Sequence, residues 1–408
     1  MKEIISLQDI KHFDSRSEQF QPLEWYKSML ESGSISYNEN SDTWNAFKYD
    51  AVKTVLSDYE HFSSEGDRTT ISVKFSEDDK QMNSKVNFLK MDPPHNRKGR
   101  SLLASAFTPR SLENWKPRIN QIAENLITQI EKGKTEDIVA ALANPMPAMV
   151  MSDLLGIPKP DVIKFKKWVD ILFLPYDKSK KDVIDNQKNQ AIKEFFTYLQ
   201  PVIIEKRQQL QDDIISDLIR AEVDGERLTD FEIIEMTMAI LGAGVETTSH
   251  MISTSFYALL YDDNELFSEL KAHPEYIDRT VEEMLRYRFH MSRRDRTVKK
   301  DNNILGVDLK KGDVVVAWMS AANMDEEMFE EPFQLNIHRK NNKKHLTFGN
   351  GPHFCLGAPL ARLELKLILE NLVKRFSKIE PIESFELEPN LTDSATGQTL
   401  TSLPLKLS

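Results

Sequence analysis

Residues 348–357 read Phe348-Gly349-Asn350-Gly351-Pro352-His353-Phe354-Cys355-Leu356-Gly357. In this segment Cys355 follows a loop rich in glycine and precedes a pattern typical of a helix. The start of a helix presents unpaired N–H groups and the positive end of its dipole, and both lower the pKa of a thiol. Because the thiolate is the form of cysteine that binds metal, the segment predicts a metal-binding cysteine.

Cys355 is the only cysteine in the 408 residues. A lone cysteine excludes an internal disulfide and an iron–sulfur cluster, which usually needs four cysteine ligands. It can still hold a single iron, and electron donation from a thiolate favours cleavage of the O–O bond. The alternative is that Cys355 is an inert buried side chain, as free cysteines often are.

The composition limits the partners that we expect. The formal net charge is −11, which argues against nucleic acid or an anionic membrane as the main partner. No run of about eighteen apolar residues is present, so we expect no membrane span. The N-terminus lacks the apolar core of a signal peptide, and we expect a cytoplasmic protein.

Helix signals dominate the chain. Thr229-Asp230-Phe231-Glu232 is a capping box, and no proline follows it until Pro274. A helix from there to about Tyr261 would be roughly 50 Å long at 1.5 Å per residue and would cross the core. Strand signals are confined to short runs such as Val314–Trp318. We therefore expect a mainly α chain with small β-sheets (α+β), and a final long helix after Gly357.

Ala243-Gly244-Val245-Glu246-Thr247-Thr248 lies midway along the predicted long helix. Small residues there would let a flat ligand lie against the backbone. Thr247 can hydrogen-bond back along the helix, and an acid beside a hydroxyl can relay protons. The alternative is that glycine and threonine mark a helix–helix contact.

Glu283-Met284-Leu285-Arg286 places a carboxylate and a guanidinium at positions i and i+3, on one face of a helix. An isolated pair of this kind is usually a surface ion pair that contributes less than about 1 kcal/mol.

These motifs together resemble the cytochrome P450 superfamily. Phe348, Gly351, Cys355 and Gly357 match its haem-binding signature, and the resemblance covers essentially the whole chain. It implies the P450 fold, a triangular helical prism with haem b between the long central helix and the helix of the cysteine loop. Residues 1–408 would form one catalytic domain. Its β-rich portion would cover roughly 1–65, 290–340 and 380–408, and its helical portion roughly 90–290 and 340–380.

The resemblance also implies roles for individual residues. Cys355 would bind the haem iron, Glu246 and Thr247 would deliver protons, and Glu283 and Arg286 would join Arg339 in a buried network that holds the cysteine loop. The haem contacts expected from matching positions are Arg100, Arg296, His353, Ala243, Phe348, Gly349 and Gly357. Of these, Arg100, Arg296 and His353 would bind the haem propionates, as guanidinium groups bind carboxylates well.

The chain departs from the family pattern before one of these arginines. The family usually reads D-P-P-x-H-x-x-x-R, whereas here Asp92-Pro93-Pro94 is followed by His95, Asn96 and then Arg100. Either His95 replaces the usual histidine, or Asn96 donates a neutral hydrogen bond to the propionate. Both interpretations are open on the sequence alone.

The implied activity is O₂-dependent hydroxylation. Nothing in the chain resembles a fused flavin or ferredoxin domain, so we expect electrons to come from NAD(P)H through a separate ferredoxin and ferredoxin reductase. We also expect the protein to be a monomer. Candidate contacts for an acidic ferredoxin are Arg97, Lys98, Lys343 and Lys344.

The substrate hypothesis rests on a narrower resemblance, to the bacterial steroid 15-beta-hydroxylases. The similar stretches are Gly242–His250, Trp318–Phe329, Asn341–Glu364 and Leu391–Pro404. This resemblance implies a rigid, apolar polycyclic substrate, a steroid or a terpenoid of similar shape. The candidate substrate contacts are Ala243, Phe165, Phe173, Phe289, Ser394, Ala395 and Thr396.

Two other functions compete with this one. One is an H₂O₂-driven fatty-acid peroxygenase, although such relatives lack the acid–threonine pair present here. The other is a haem sensor or carrier without catalysis.

Overall fold

The computed structural model describes residues 7–65, 91–104, 107–175, 177–223, 225–288 and 292–408. Helices account for most of the regular structure in these ranges. They are α1 (Leu7–Ile10), α2 (Arg16–Phe20), α3 (Leu23–Ser32), α4 (Tyr49–Ser57), α5 (His95–Ala104), α6 (Pro109–Gln129), α7 (Pro145–Leu154), α8 (Val162–Leu172), α9 (Lys181–Gln208), α10 (Ile214–Arg220), α11 (Asp230–Tyr257), α12 (Leu266–Ala272), α13 (Ile277–Tyr287), α14 (Met319–Ala322) and α15 (Ala358–Arg375).

The strands are short and form small sheets. They are β1 (Ile35–Asn38), β2 (Thr43–Ala46), β3 (Phe62–Ser63), β4 (Thr135–Asp137), β5 (Glu222–Val223), β6 (Glu226–Arg227), β7 (Arg294–Val298), β8 (Val314–Ala317), β9 (Ile379–Pro381), β10 (Leu391–Ser394), β11 (Gly397–Leu400) and β12 (Pro404–Leu407). The largest sheet has the order β1-β2-β8-β7-β3, and a second has the order β4-β12-β9. β10 with β11 and β5 with β6 are two-stranded. Long helices with small sheets confirm the predicted mainly α fold.

The central helix α11 begins where the capping box predicted. Thr229 Oγ1 accepts the Glu232 N–H at 3.2 Å, and Glu232 Oε2 accepts the Thr229 N–H at 2.9 Å. The helix runs for 28 residues and continues as a π-helical turn over Ala258–Asp262. It packs against α7, α8 and α9, and most of its residues are buried. Among the described residues, no helix is both long enough and apolar enough to span a lipid bilayer.

The sheet that contains β7 is anchored by a separate aromatic core. Trp318 is fully buried, stacks on Phe47 and donates its indole N–H to Asn45 Oδ1 at 2.9 Å. It follows β8 directly, and β8 pairs antiparallel with β7, so Val315 lies opposite Arg296. This core therefore fixes the strand that carries Arg296.

Candidate active site

A cavity lies between α11 and the loop that precedes α15. Its wall on the α11 side consists of Ala239, Ile240, Ala243, Gly244, Thr247, Thr248 and Met251. Its opposite wall is formed by Thr347, Phe348, Gly349, Asn350, His353, Cys355, Leu356, Gly357, Leu360, Ala361 and Glu364. The structure thus brings Thr247, Ala243 and the predicted cysteine loop together around one space.

Glycines let the cysteine loop turn tightly. Gly349 and Gly351 have φ values of 75° and 72°, a region that side chains disfavour. A Cβ at Gly351 would lie 2.6 Å from the Cα of Ser57, so α4 excludes any larger residue there. The Cys355 N–H donates to the carbonyl of Phe348 at 2.9 Å. These constraints hold Cys355 in the cavity wall.

The electrostatics of the thiol differ from what the helix start alone predicted. The exposed surface of Cys355 faces the cavity, and protein atoms surround the rest of the side chain. Burial raises the pKa of the Cys355 thiol, and the Gly357 N–H and the charges of Arg294 and Arg100 lower it less. The thiol is therefore protonated at neutral pH unless a metal cation is bound, since coordination deprotonates a thiol.

Three arginines and a histidine line the same cavity. Arg100, Arg294, Arg296 and His353 all contribute to its wall. Arg296 is only 4% exposed, and its Nη1 donates to the carbonyl of Asp295 at 2.8 Å. Arg100 donates to the carbonyl of Phe354 at 2.6 Å, and His353 Nε2 lies 2.8 Å from Ser64 Oγ. Buried positive charge of this kind fits a ligand that carries carboxylates, as haem does.

The two candidates for the propionate contact before Arg100, His95 and Asn96, differ in burial. His95 is exposed, whereas Asn96 is 1% exposed. Within the described ranges, neither Oδ1 nor Nδ2 of Asn96 has a hydrogen-bond partner. A buried amide left unpaired costs about 1–3 kcal/mol. Asn96 is not among the residues that line the cavity, and a bound carboxylate would supply an acceptor for its Nδ2 alone.

The acid–threonine pair lies on the α11 wall. Thr247 Oγ1 donates to the carbonyl of Ala243 at 2.6 Å and lines the cavity. Glu246 is not part of the lining; it is 5% exposed and accepts from Ser394 Oγ at 2.5 Å. Burial raises the pKa of Glu246 to about 8, although the Ser394 hydrogen bond acts in the opposite direction. At neutral pH the carboxyl therefore holds a proton beside Thr247.

Glu283, Arg286 and Arg339 are in direct contact. Arg286 binds Glu283 through two hydrogen bonds of 3.0 and 2.8 Å, and Arg339 Nε donates to Glu283 Oε1 at 3.2 Å. Arg286 also donates to the carbonyls of Asn323 and Pro332 at 2.8 Å each. All three charged residues are buried. The network joins α13 to the segment that leads into the cysteine loop.

A second network, which we did not predict from the sequence, begins at the neighbouring residue. Glu282 accepts from Arg362 at 2.6 and 3.0 Å and lies 3.1 Å from His345 Nε2. The Arg362 guanidinium lies over the ring of Phe348 at 4.6 Å. Burial alone would raise the pKa of Glu282, but His345 and Arg362 bring it to about 2. Burial lowers the pKa of His345, so Arg362 is the permanent cation of this group.

Most candidate substrate contacts lie away from the cavity wall. Ala243 lines it, but Phe165 is buried in an aromatic cluster with Trp168, Phe195 and Tyr198. Phe173 is also buried, and its carbonyl accepts the Ala395 N–H at 2.9 Å. Ser394 Oγ and Thr396 Oγ1 lie 3.1 Å apart, and Ser394 Oγ also donates to Glu246. Neither residue lines the cavity. Phe289 lies outside the described residues.

Several apolar residues of the wall were missed. Their pattern in the sequence is that of ordinary core positions, which gives no signal for a cavity. They are Leu56, Leu103, Phe107, Met151, Met251 and Met319.

Comparison with known proteins identifies relatives along nearly the whole chain. The sequence model described as Cytochrome P450 matches residues 9–273 and 269–407. Cytochrome P450(MEG) of Priestia megaterium is 60% identical over 408 residues, which is 100% of both chains. The crystal structure of CYP109E1 from Bacillus megaterium in complex with corticosterone has a TM-score of 0.84 at 37% identity and covers 96% of this chain and 99% of that one. Its complex with testosterone has a TM-score of 0.84 at 36% identity, with the same coverage.

Proposed function

The chain belongs to the cytochrome P450 family, and we propose that its substrate is a rigid, apolar polycyclic molecule, a steroid that it hydroxylates at the 15-beta position. A terpenoid of similar shape is the second substrate class. The observation that carries the steroid proposal is the similarity to CYP109E1, whose structures contain corticosterone and testosterone. The sequence resemblance to steroid 15-beta-hydroxylases supports the position of attack. The extent of the family match supports one catalytic domain over residues 1–408.

Family membership establishes a monooxygenase that uses haem b with a cysteine thiolate ligand, and Cys355 is the only cysteine. The bound haem supplies the activation of O₂ and the insertion of oxygen. We propose that Arg100, Arg296 and His353 bind its propionates. The buried, unpaired Asn96 supports a further hydrogen bond there, and the exposure of His95 speaks against the alternative.

Proton delivery falls to the α11 wall. Hydroxylation consumes protons, and a buried carboxyl that is protonated at neutral pH can supply them. Glu246 has this property, and Thr247 stands next to it on the cavity side. We propose that Glu246 holds the proton and that Thr247 Oγ1 passes it to the cavity. The presence of this pair supports the O₂-dependent reaction over a peroxygenase.

Electron supply is proposed to come from NAD(P)H through a ferredoxin and its reductase. Arg97, Lys343 and Lys344 are exposed and positively charged, as contacts with an acidic ferredoxin require. Phe354 is 42% exposed and directly precedes Cys355, which offers an apolar centre for such an interface. We further propose that the chain acts as a monomer.

The test combines binding and turnover. Purified holoprotein is titrated with testosterone, corticosterone, a polycyclic terpenoid and a fatty acid, and the spin state of the haem is followed by absorbance. Turnover is then measured with ferredoxin, reductase and NAD(P)H, or with H₂O₂ alone. We expect a steroid to give the largest spin-state change and a 15-beta-hydroxylated product that depends on the electron-transfer proteins.

Each competing function has its own outcome. Fatty-acid hydroxylation by H₂O₂ alone would establish the peroxygenase. Haem binding without product from any substrate would establish the sensor or carrier. Hydroxylation of the steroid at another carbon would overturn the 15-beta assignment.

A further inference from the structure

Glu246 is held by a residue that lies far away in the sequence. Ser394 Oγ donates to Glu246 Oε1 at 2.5 Å across 148 positions of the chain. Ser394 ends β10 and pairs with Gly397 at the turn of the β10–β11 hairpin. We propose that Ser394 is a positioning residue: its hydroxyl fixes the Glu246 carboxyl and so couples this hairpin to proton delivery. This inference rests on the proposed role of Glu246.

The hairpin turn sets the direction of the Ser394 hydroxyl. Ser394 Oγ accepts the Thr396 N–H at 3.2 Å and lies 3.1 Å from Thr396 Oγ1, and its shortest contact is the bond to Glu246 at 2.5 Å. The Ala395 N–H donates to the carbonyl of Phe173, directly after α8. The turn is thus bonded to the residue that follows α8 on one side and to α11 on the other. The position of the carboxyl therefore follows the position of the hairpin.

The other ionisable groups around Glu246 lie farther from its carboxyl than Ser394 does. On α11 itself, His250 Nε2 lies 3.5 Å from Glu246 Oε1. Lys166 and Asp170 of α8 form an ion pair with each other and have opposite effects on the pKa of Glu246. Lys188 of α9 lowers that pKa, but its Nζ is bonded to the carbonyl of Leu174 at 2.8 Å.

The sign of the Ser394 effect follows from the bond. A hydroxyl that donates to a carboxylate stabilises the charged form and lowers the pKa, whereas burial raises it. Without the hydroxyl, Glu246 should hold its proton to a higher pH and lose its fixed orientation. Proton delivery then fails in a way that depends on pH, while substrate binding in the cavity remains.

The experiment compares Ser394→Ala with Ser394→Thr, which keeps the hydroxyl. The control is Thr392→Ala, which removes a hydroxyl from an exposed position of the same strand. The carboxyl band of Glu246 is followed by infrared difference spectroscopy of the ferric holoenzyme over pH and is assigned by its loss in Glu246→Gln. We expect Ser394→Ala to move the titration upward by roughly one pH unit, the size expected for one lost hydrogen bond. Ser394→Thr and Thr392→Ala should titrate as the native protein does.

Coupling provides the second readout. Product formed per NAD(P)H consumed should fall several-fold in Ser394→Ala and recover in Ser394→Thr, with an unchanged spin-state titration by substrate. An unmoved carboxyl titration in Ser394→Ala would overturn the proposal. So would a variant that loses substrate affinity alone, because Ser394 would then be a substrate contact. Failure of the native protein to hydroxylate any substrate would reject the proposed function, and the infrared titration would still decide the role of Ser394.

Discussion

Glu282 and Glu246 lie on different sides of the cavity, and both are 5% exposed. At neutral pH Glu282 is nevertheless ionised, whereas Glu246 holds its proton. On the cysteine side, burial would raise the pKa of Glu282, but its contacts with His345 and Arg362 bring it to about 2. On the α11 side, Glu246 has a serine hydroxyl in place of an arginine, and its pKa rises to about 8. Burial raises the pKa of both carboxyls, and the difference between them comes from the cationic partner that only Glu282 has.

The difference matches what each side must do. The cysteine loop has to stay in one place, and carboxylates that are charged at any working pH bind arginines permanently. The α11 side has to release and regain protons, which requires a pKa near the working pH. Glu282 follows the first pattern and Glu246 the second. Glu364, in the cysteine-side wall, is an exception, because burial raises its pKa to about 8 as well.

Replacing the sulfur should have the largest effect on the cysteine side. Cys355→His should abolish the long-wavelength band of the ferrous–CO complex that is typical of thiolate ligation, because a nitrogen ligand donates less electron density. The band is measured by difference absorbance, and haem content is measured separately as the pyridine haemochrome. A retained band in a haem-containing variant would contradict the ligand assignment.

Breaking the buried network should have the next largest effect. Glu283→Ala leaves Arg286 and Arg339 buried without their carboxylate, and losses of about 3–5 kcal/mol are usual for such a change. The free energy of unfolding and the haem content after gel filtration should both fall.

An exposed pair with the same spacing serves as its control. Asp217 Oδ1 accepts from Arg220 at 2.8 Å, and both side chains are exposed to solvent. Asp217→Ala should change stability by less than about 1 kcal/mol. If the two variants lose the same stability, the buried network contributes nothing beyond a surface ion pair.

The two carboxyls should also give pH dependences of opposite sign. Glu282 has a pKa lowered to about 2, so its stabilising contribution is present above the unfolded pKa and is lost as pH falls from about 4.5 to 2. Glu246 has a raised pKa, so its contribution is complete below about 4.5 and is lost as pH rises through about 8.

Glutamine replacements separate these contributions. Glu282→Gln should lose on the order of 3 kcal/mol at neutral pH and little at pH 2, by the shift of its pKa. Glu246→Gln should gain stability relative to the native protein as pH rises from about 4.5, and the gain should be complete above about 8. Denaturant unfolding over pH measures both. Parallel curves for the two variants would show that the carboxyls do not differ in charge.

The contrast between local and distant partners also explains what the sequence could predict. The capping box at Thr229 and the i, i+3 pair of Glu283 and Arg286 depend on neighbours in the chain, and the structure has both. Glu282 is adjacent, but its partner Arg362 follows 80 positions later, so no spacing marks it. The fold could be predicted because the sequence around Cys355 matches a signature that is specific to one family.

Burial that distant parts of the chain impose on a side chain could not be predicted from the local sequence. Phe165 and Phe173 are of a type that is core in most proteins, and tertiary packing buries both outside the described cavity wall, so their contact with substrate stays a prediction. Likewise, the start of α15 predicts a lowered thiol pKa for Cys355, but the burial that results from the whole fold outweighs it. Local rules cannot supply the desolvation that distant residues impose.

The smallest predicted change concerns the α11 side and affects only the amount of product formed per NAD(P)H consumed. Thr247→Ala should keep substrate binding and NAD(P)H consumption but divert electrons to peroxide, so that product per NAD(P)H falls by on the order of ten-fold. This is less than the roughly 10²-fold contribution usual for a positioned acid, because Glu246 remains and Thr248 also lines the cavity. Thr254→Ala is the matched control: Thr254 makes the same bond to a carbonyl four residues earlier, at 2.8 Å, but it lies outside the described cavity wall. Equal uncoupling in both variants would indicate that a loosened helix is the cause, and only a loss specific to Thr247 assigns the hydroxyl to proton transfer.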